Sequence, residues 1–229
     1  PQDLRGDIII VGSLAAAYQL LRDHAQTMRT KDVDSLVAPH AKALSSAARV
    51  TQDLISKGWV PEADKSRFDL PGRPDSPVAR LPVVRLQPPQ NKGWFLELLG
   101  APPSVGAGGR GSRRLETPSG HFELPSFAYL GLVQYEPTAS EFGVMVAKPE
   151  MMALANLLHH PTIDPKRMSQ AFGNRSIKRS NKDLGRVVAL AILANMLDED
   201  ALESWSATWE AALQALAPDA AHEAFAVKH

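Results

Sequence analysis

The chain contains no cysteine, which excludes disulfides and thiolate metal sites and leaves nothing that points to an oxidising compartment. It also lacks an excess of either charge. Its 25 basic residues balance 25 acidic ones over 229 positions. No global field therefore draws a polyanion, and contact with nucleic acid has to come from a local basic patch. Long apolar runs are missing too. Residues 8–21 form the most apolar stretch near the start, but Gly12, Ser13, Tyr18 and Gln19 interrupt it, and it falls short of the roughly 20 residues of a membrane helix. It carries neither a basic leader nor a cleavage pattern, so the expectation is no signal peptide, no membrane contact and a cytoplasmic setting.

What is present is ordinary for a globular chain: 44% hydrophobic and 22% charged residues. The length suits one α/β domain, or a compact domain with a helical appendage. Residues 7–11 (DIIIV) are a short β-branched run stopped by Gly12, the pattern of a buried strand. Residues 14–26 then carry Leu, Ala and Tyr at helical spacing, so a helix is entered directly from a Gly-Ser turn. Residues 30–37 (TKDVDSLV) alternate polar and apolar, as a half-buried strand does. Residues 38–56 predict an Ala-rich helix with Pro39 at its first turn. In the proline-rich middle, residues 78–87 predict a strand at an edge or bulge because of Pro82. Residues 93–99 (GWFLELL) predict a stronger strand, residues 104–114 a Gly-rich basic loop, and residues 121–133 and 141–147 two further strands. From Pro149 onward the spacing turns helical, over residues 149–159, 164–172, 181–197 and 200–216.

One constellation carries chemistry. Strand side chains alternate with period two, so Asp32 and Asp34 project from one face while Val33 turns to the other. Two carboxylates so placed repel each other unless a cation intervenes, and oxygen ligands of this kind suit a divalent ion carrying a triphosphate. Gly12, Ser13 and the helix that follows them offer backbone N–H groups and a hydroxyl to phosphate. The bland reading is a tight turn at Gly12 with Asp32 and Asp34 facing water.

The run IIIVGSLAAAYQLL…RTKDVDSLV resembles the opening of the nucleotidyltransferase superfamily: an apolar strand, Gly-Ser or Gly-Gly, a helix, then D-x-D. Within it, Arg29-Thr30-Lys31-Asp32-Val33-Asp34 most resembles the abortive-infection toxins of type IV toxin–antitoxin systems. The resemblance covers residues 7–56, roughly a quarter of the chain. It implies an α/β (α+β) fold, with a nucleotidyltransferase-like mixed sheet flanked by helices over residues 1–148 and a C-terminal helical region over 149–229. It implies Mg²⁺ (or Mn²⁺) held by Asp32 and Asp34, a nucleoside triphosphate (NTP) as substrate, and nucleotide contacts from Gly12, Ser13, Lys31 and Lys182. The acceptor implied is a hydroxyl on tRNA or on a protein, with a small-molecule hydroxyl as a further option and a cognate antitoxin protein as partner. The superfamily adds a third carboxylate from a later strand. Glu97, a lone acid in an apolar strand, is the first choice for it and Glu123 the second; the competing reading of Glu97 is an edge glutamate facing solvent. The toxins also carry a Lys on one C-terminal helix and a Lys-Asp-x-x-Asp element on a later one. Lys182 and Asp183 match, but Arg186 replaces the final acid and Asn156 stands where the other Lys is expected. These departures open a second reading, a catalytically degenerate nucleotide-binding or interaction protein.

Other features read either way. Lys166, Arg167, Arg175, Lys178, Arg179, Lys182 and Arg186, with Arg110, Arg113 and Arg114, form either a phosphate-backbone surface or a solvated face. His159 and His160 before Pro161 mark a helix end rather than a metal site. Trp205 and Trp209, four apart, predict core packing, with partner docking as the alternative.

Overall fold

A computed structural model describes residues 1–21, 30–62, 72–90, 93–106, 110–169 and 176–217. The fold is mixed α/β, and one seven-stranded sheet organises it. Strand β1 (Ile8–Ile10) leads into helix α1 (Gly12–Leu20), and β2 (Asp32–Val37) into α2 (His40–Ser56). Short strands β3 (Val60–Pro61) and β4 (Arg85–Gln87) precede β5 (Phe95–Gly100). A separate hairpin pairs β6 (Arg110–Thr117) with β7 (Gly120–Phe127). Strands β8 (Thr138–Ala139) and β9 (Met145–Val146) return to the sheet, and helices α3 (Pro149–His159), α4 (Arg179–Leu197) and α5 (Ala201–Leu216) follow. The sheet order is β3-β4-β5-β2-β1-β9-β8, with β2–β5 and β1–β9 parallel and the other pairs antiparallel.

Alternation along the strands decides what lies on each face. On one face Leu36 of β2 and Leu99 of β5 join Ala15 and Leu20 of α1, Met151 and Leu154 of α3, Leu190 of α4, and Trp205 and Leu213 of α5. On the other face Val37, Leu86 and Leu98 pack with Ala47 and Val50 of α2 and with Leu115, Phe122 and Leu124 of the hairpin. The three C-terminal helices thus share a core with β1, β2 and α1. Trp205 is buried and its ring lies 5.8 Å from that of Trp209, whose indole N–H donates to the Glu150 carbonyl at 2.9 Å. Among the described residues no helix is long and apolar enough to cross a membrane.

Several sequence expectations need correction, mostly where proline or a distant partner decides. Residues 78–87 are not one strand: a 3-10 turn (Val78–Arg80) comes first, Val83 makes an isolated bridge to Glu123, and only Arg85–Gln87 is sheet. Pro77 and Pro82 lack the N–H that a continuous ladder needs. The stretch 104–114, expected as a loop, is strand from Arg110 onward, because β7 supplies a partner residue by residue; positions 107–109 lie outside the described residues. Residues 121–133 are strand only to Phe127 and then a 3-10 turn (Leu130–Gln134). Of 141–147 only Met145–Val146 pairs, after a turn at Gly143 with φ of 79°. The short helix expected at 164–172 is absent over 164–169. There the Asp164 carboxylate accepts from the Lys166 N–H at 2.8 Å, and Met168 bridges Lys178. Such a side-chain-capped turn competes with helix. Positions 170–175 lie outside the described residues, as do 22–26 of the helix expected over 14–26.

Candidate active site

Along β2 the side chains on the α1 face run Asp32, Asp34, Leu36, and along β5 they run Phe95, Glu97, Leu99. The strands are parallel with Asp32 beside Phe95 and Asp34 beside Glu97. Leu36 and Leu99 feed the core, and Asp32, Asp34 and Glu97 form an acidic patch at its margin with Phe95 beside them. Register therefore brings the D-x-D pair and Glu97 onto one surface.

The turn after β1 closes against this patch. The Val11 N–H donates to the Asp34 carbonyl at 2.9 Å, and Gly12 opens α1 with φ of 71°. A Cβ on Gly12 would lie 2.8 Å from Asp34 Oδ2. Both the positive φ and the close carboxylate therefore require glycine here. Beside it the Thr30 hydroxyl donates to Asp32 Oδ1 at 2.7 Å, and Ser13 Oγ lies 3.2 Å from Thr30 Oγ1. The Thr30 hydroxyl also lies 2.8 Å from the Asp32 carbonyl, so Thr30 links Ser13 to both the backbone and the carboxylate of Asp32. Thr30 had no role assigned from the sequence. The signal was its place two residues before Asp32, where a hydroxyl can reach the following strand.

Charge is concentrated at Asp34. Burial, then the neighbouring charges of Asp32 and Glu97, push its carboxyl from 3.8 up to about 6, while Arg186 and Arg85 pull it down. Glu97 is not an edge residue facing solvent: its Oε2 accepts from Arg85 Nε at 2.8 Å, and only 15% of its side chain is exposed. Arg85 also lies over the Phe95 ring, 5.2 Å from its centroid. Glu123 sits elsewhere, buried in the hairpin opposite Arg114 and bonded by the Ser112 hydroxyl. Lys31 is exposed at the head of β2, its carbonyl accepting from the Phe95 N–H at 3.0 Å.

Helix α4 brings cations to the patch. Burial, then Arg186 and Arg179, lower the Lys182 ammonium below its ordinary value, while Asp183 and Asp32 oppose the shift. Lys182 thus stands within electrostatic reach of Asp32, as Arg186 does of Asp34. Asp183 faces inward with 2% of its side chain exposed. Around it are Arg186 Nη1 at 3.3 Å, Arg179 Nε at 3.5 Å and His159 Nδ1 at 3.9 Å. Burial lowers the His159 pKa, and Asp183 works against that shift. Asn156 turns back on its own helix, donating to the Met152 carbonyl at 2.7 Å.

The wider basic set divides. Arg114 is spent on the carbonyls of Arg73 and Ser76, and Arg113 lies 3.4 Å from His40 Nε2. Lys166, Arg167 and Lys178 are exposed. Arg175 and the Arg110 side chain lie outside the described residues, as does Arg29.

The donors at the patch are hard carboxylate oxygens, a set that suits Mg²⁺ or Mn²⁺. Such an ion would add to the relief that Arg186 and Arg85 give Asp34 against burial and the charges of Asp32 and Glu97. As they stand, Asp32 is turned to Thr30 and Glu97 to Arg85, and among the described residues no three His, Asp or Glu side chains converge on a metal position. Comparison with known protein families, with curated proteins and with solved structures returned no match.

Proposed function

We propose that the chain is a metal-dependent nucleotidyltransferase that moves a nucleoside monophosphate from an NTP to a hydroxyl acceptor, releasing pyrophosphate. One observation carries the reading: Asp34 is paired with Glu97 across β2–β5, two residues from Asp32, and faces the positive-φ glycine that opens α1. Asp32 and Asp34, joined by Glu97 through the oxygen that Arg85 does not hold, are the residues to hold Mg²⁺ (or Mn²⁺). When bound, the ion supplies charge neutralisation at the transferring phosphoryl group. Gly12 and Ser13 at the α1 N-terminus take the phosphates through backbone N–H groups and a hydroxyl. Lys182 and Arg186 add positive charge from the α4 side, and Lys31 lies at the patch rim. The acceptor hydroxyl approaches in line from the side opposite the pyrophosphate, and tRNA or a protein is the proposed class.

A second reading has two observations in its favour. Arg85 already pairs with Glu97, and Arg186 already offsets the charge of Asp34. These internal cations would stand in for a metal in a degenerate nucleotide-binding or interaction protein.

The two separate in one experiment. The protein is incubated with each α-labelled triphosphate, Mg²⁺ and total tRNA, beside an Asp32→Asn/Asp34→Asn double mutant. The expected result is label on RNA or protein with the wild type alone. Binding of triphosphate without transfer, lost in the double mutant, would select the degenerate reading. Neither binding nor transfer would overturn both.

A further inference from the structure

Among the described residues of the acidic surface, Phe95 stands out as an aromatic ring that belongs to neither core. It stands beside Asp32 and two residues before Glu97, on the same face as both. It is half-buried, yet among the described residues it packs against neither hydrophobic core. Its neighbour Trp94 differs: that ring meets Trp59 edge-on at 5.4 Å, and Trp59 belongs to the core under α2. Among the described residues, the Arg85 guanidinium lies over the Phe95 ring, 5.2 Å from its centroid and within cation–π range. The Arg85 side chain is itself 40% exposed and is held in place by Glu97 at 2.8 Å.

We propose that Arg85 and Phe95 form a stacking platform for an unpaired base at the end of a single-stranded nucleic-acid acceptor. A guanidinium plane and an aromatic ring are the two side-chain surfaces on which unstacked bases lie. The direction across the sheet selects the acceptor over the donor. The phosphate-holding turn belongs to β1, which neighbours β2 on one side, whereas β5 and β4 lie on the other. The triphosphate tail therefore leaves toward β1, and the strand that receives the nucleotide lies over β5 and β4. The assignment of sides rests on the nucleotidyltransferase reading of the acids.

The test is an anisotropy titration of the full chain with a 5′-fluorescein-labelled single-stranded RNA of about ten nucleotides, in EDTA and without triphosphate, so that it reads the platform and not the metal site. Phe95→Leu should weaken binding about 5- to 150-fold, the range of one lost base stack. Phe95→Tyr should restore it. Arg85→Lys, which keeps the charge but loses the plane, should weaken it as well. Melting temperatures of each variant check that the fold is retained. Mg²⁺–triphosphate binding, measured separately, should be unchanged in Phe95→Leu. No RNA binding by the wild type, or equal binding by wild type and Phe95→Leu, overturns the platform. So does loss of triphosphate binding in Phe95→Leu by the same factor, which would put the donor base on the ring. Failure of the metal reading shows differently, as RNA binding that survives in a protein with no transfer activity.

Discussion

Asp34 is the residue where packing and charge conflict most. Its folded pKa of about 6 lies above the ordinary 3.8. The folded state therefore holds its proton through a range in which the unfolded chain has lost it. Well below the ordinary value of 3.8 both states are protonated and the group costs nothing. Between about pH 4 and pH 6 stability falls as pH rises, and above that window the loss is constant, on the order of 3 kcal/mol. In EDTA the melting temperature of the wild type should fall across this window relative to Asp34→Asn, and at pH 7 the variant should melt higher. Parallel melting curves against pH would remove the conflict from Asp34. Much of this residue-scale picture was legible: D-x-D spacing put both acids on one face, and Gly12 followed from the turn. Thr30 and Arg85 were not legible, because each acts on an acid through a contact that only the strand register creates.

Among the elements, α4 is the one whose role changes most between sequence and structure. As a sequence it is a long apolar segment with a basic start. In the fold it buries Leu190 and Ala194, leaves Val188, Ile192 and Met196 exposed, and sinks Asp183 beneath two arginines and a histidine. A buried carboxylate with charged donors contributes more than a surface pair. Asp183→Asn should therefore lower the unfolding free energy by about 1–2 kcal/mol, read from the midpoint of a urea titration; an unchanged midpoint would make the cluster a surface arrangement. The same cluster gives Arg186 a structural meaning. Where the resembled motif has an acid, this helix presents a cation that pairs with Asp183 at 3.3 Å and whose charge lowers the Asp34 pKa. Helices α3, α4 and α5 were legible from their 3.6 period. The stretches around Pro77, Pro82 and Asp164 were not, since removed or capped N–H groups outweighed the apolar pattern there.

For the whole molecule, the decisive fact is the shared core. Trp205 of α5 lies in the same buried cluster as Ile9 of β1, Ala15 of α1 and Leu36 of β2. Removing its ring should cost about 3–5 kcal/mol. Because that core joins the helices to the sheet, far-UV circular dichroism and tryptophan fluorescence of Trp205→Ala should shift together in one urea transition. A sheet transition left at its wild-type midpoint would mean that residues 149–229 fold as a separate unit. The zero net charge belongs to this scale too: any pull on RNA is local, from the α4 side and from the exposed Lys166, Arg167 and Lys178.

Local chemistry was enough to determine the strand–glycine–helix opening, the shared face of Asp32 and Asp34, and the periods of the late helices, because each depends on neighbours within a few residues. Tertiary structure alone decided which distant acid joins the pair, since Glu97 and Glu123 are both acids in apolar strands and only β5 runs parallel beside β2. It also decided that α4 brings the charges of Lys182 and Arg186 to bear on those acids, and that the Gly-rich stretch ends in a strand. A backbone group finds its ladder partner, and a carboxylate its counter-charge, only once the chain has brought remote segments together.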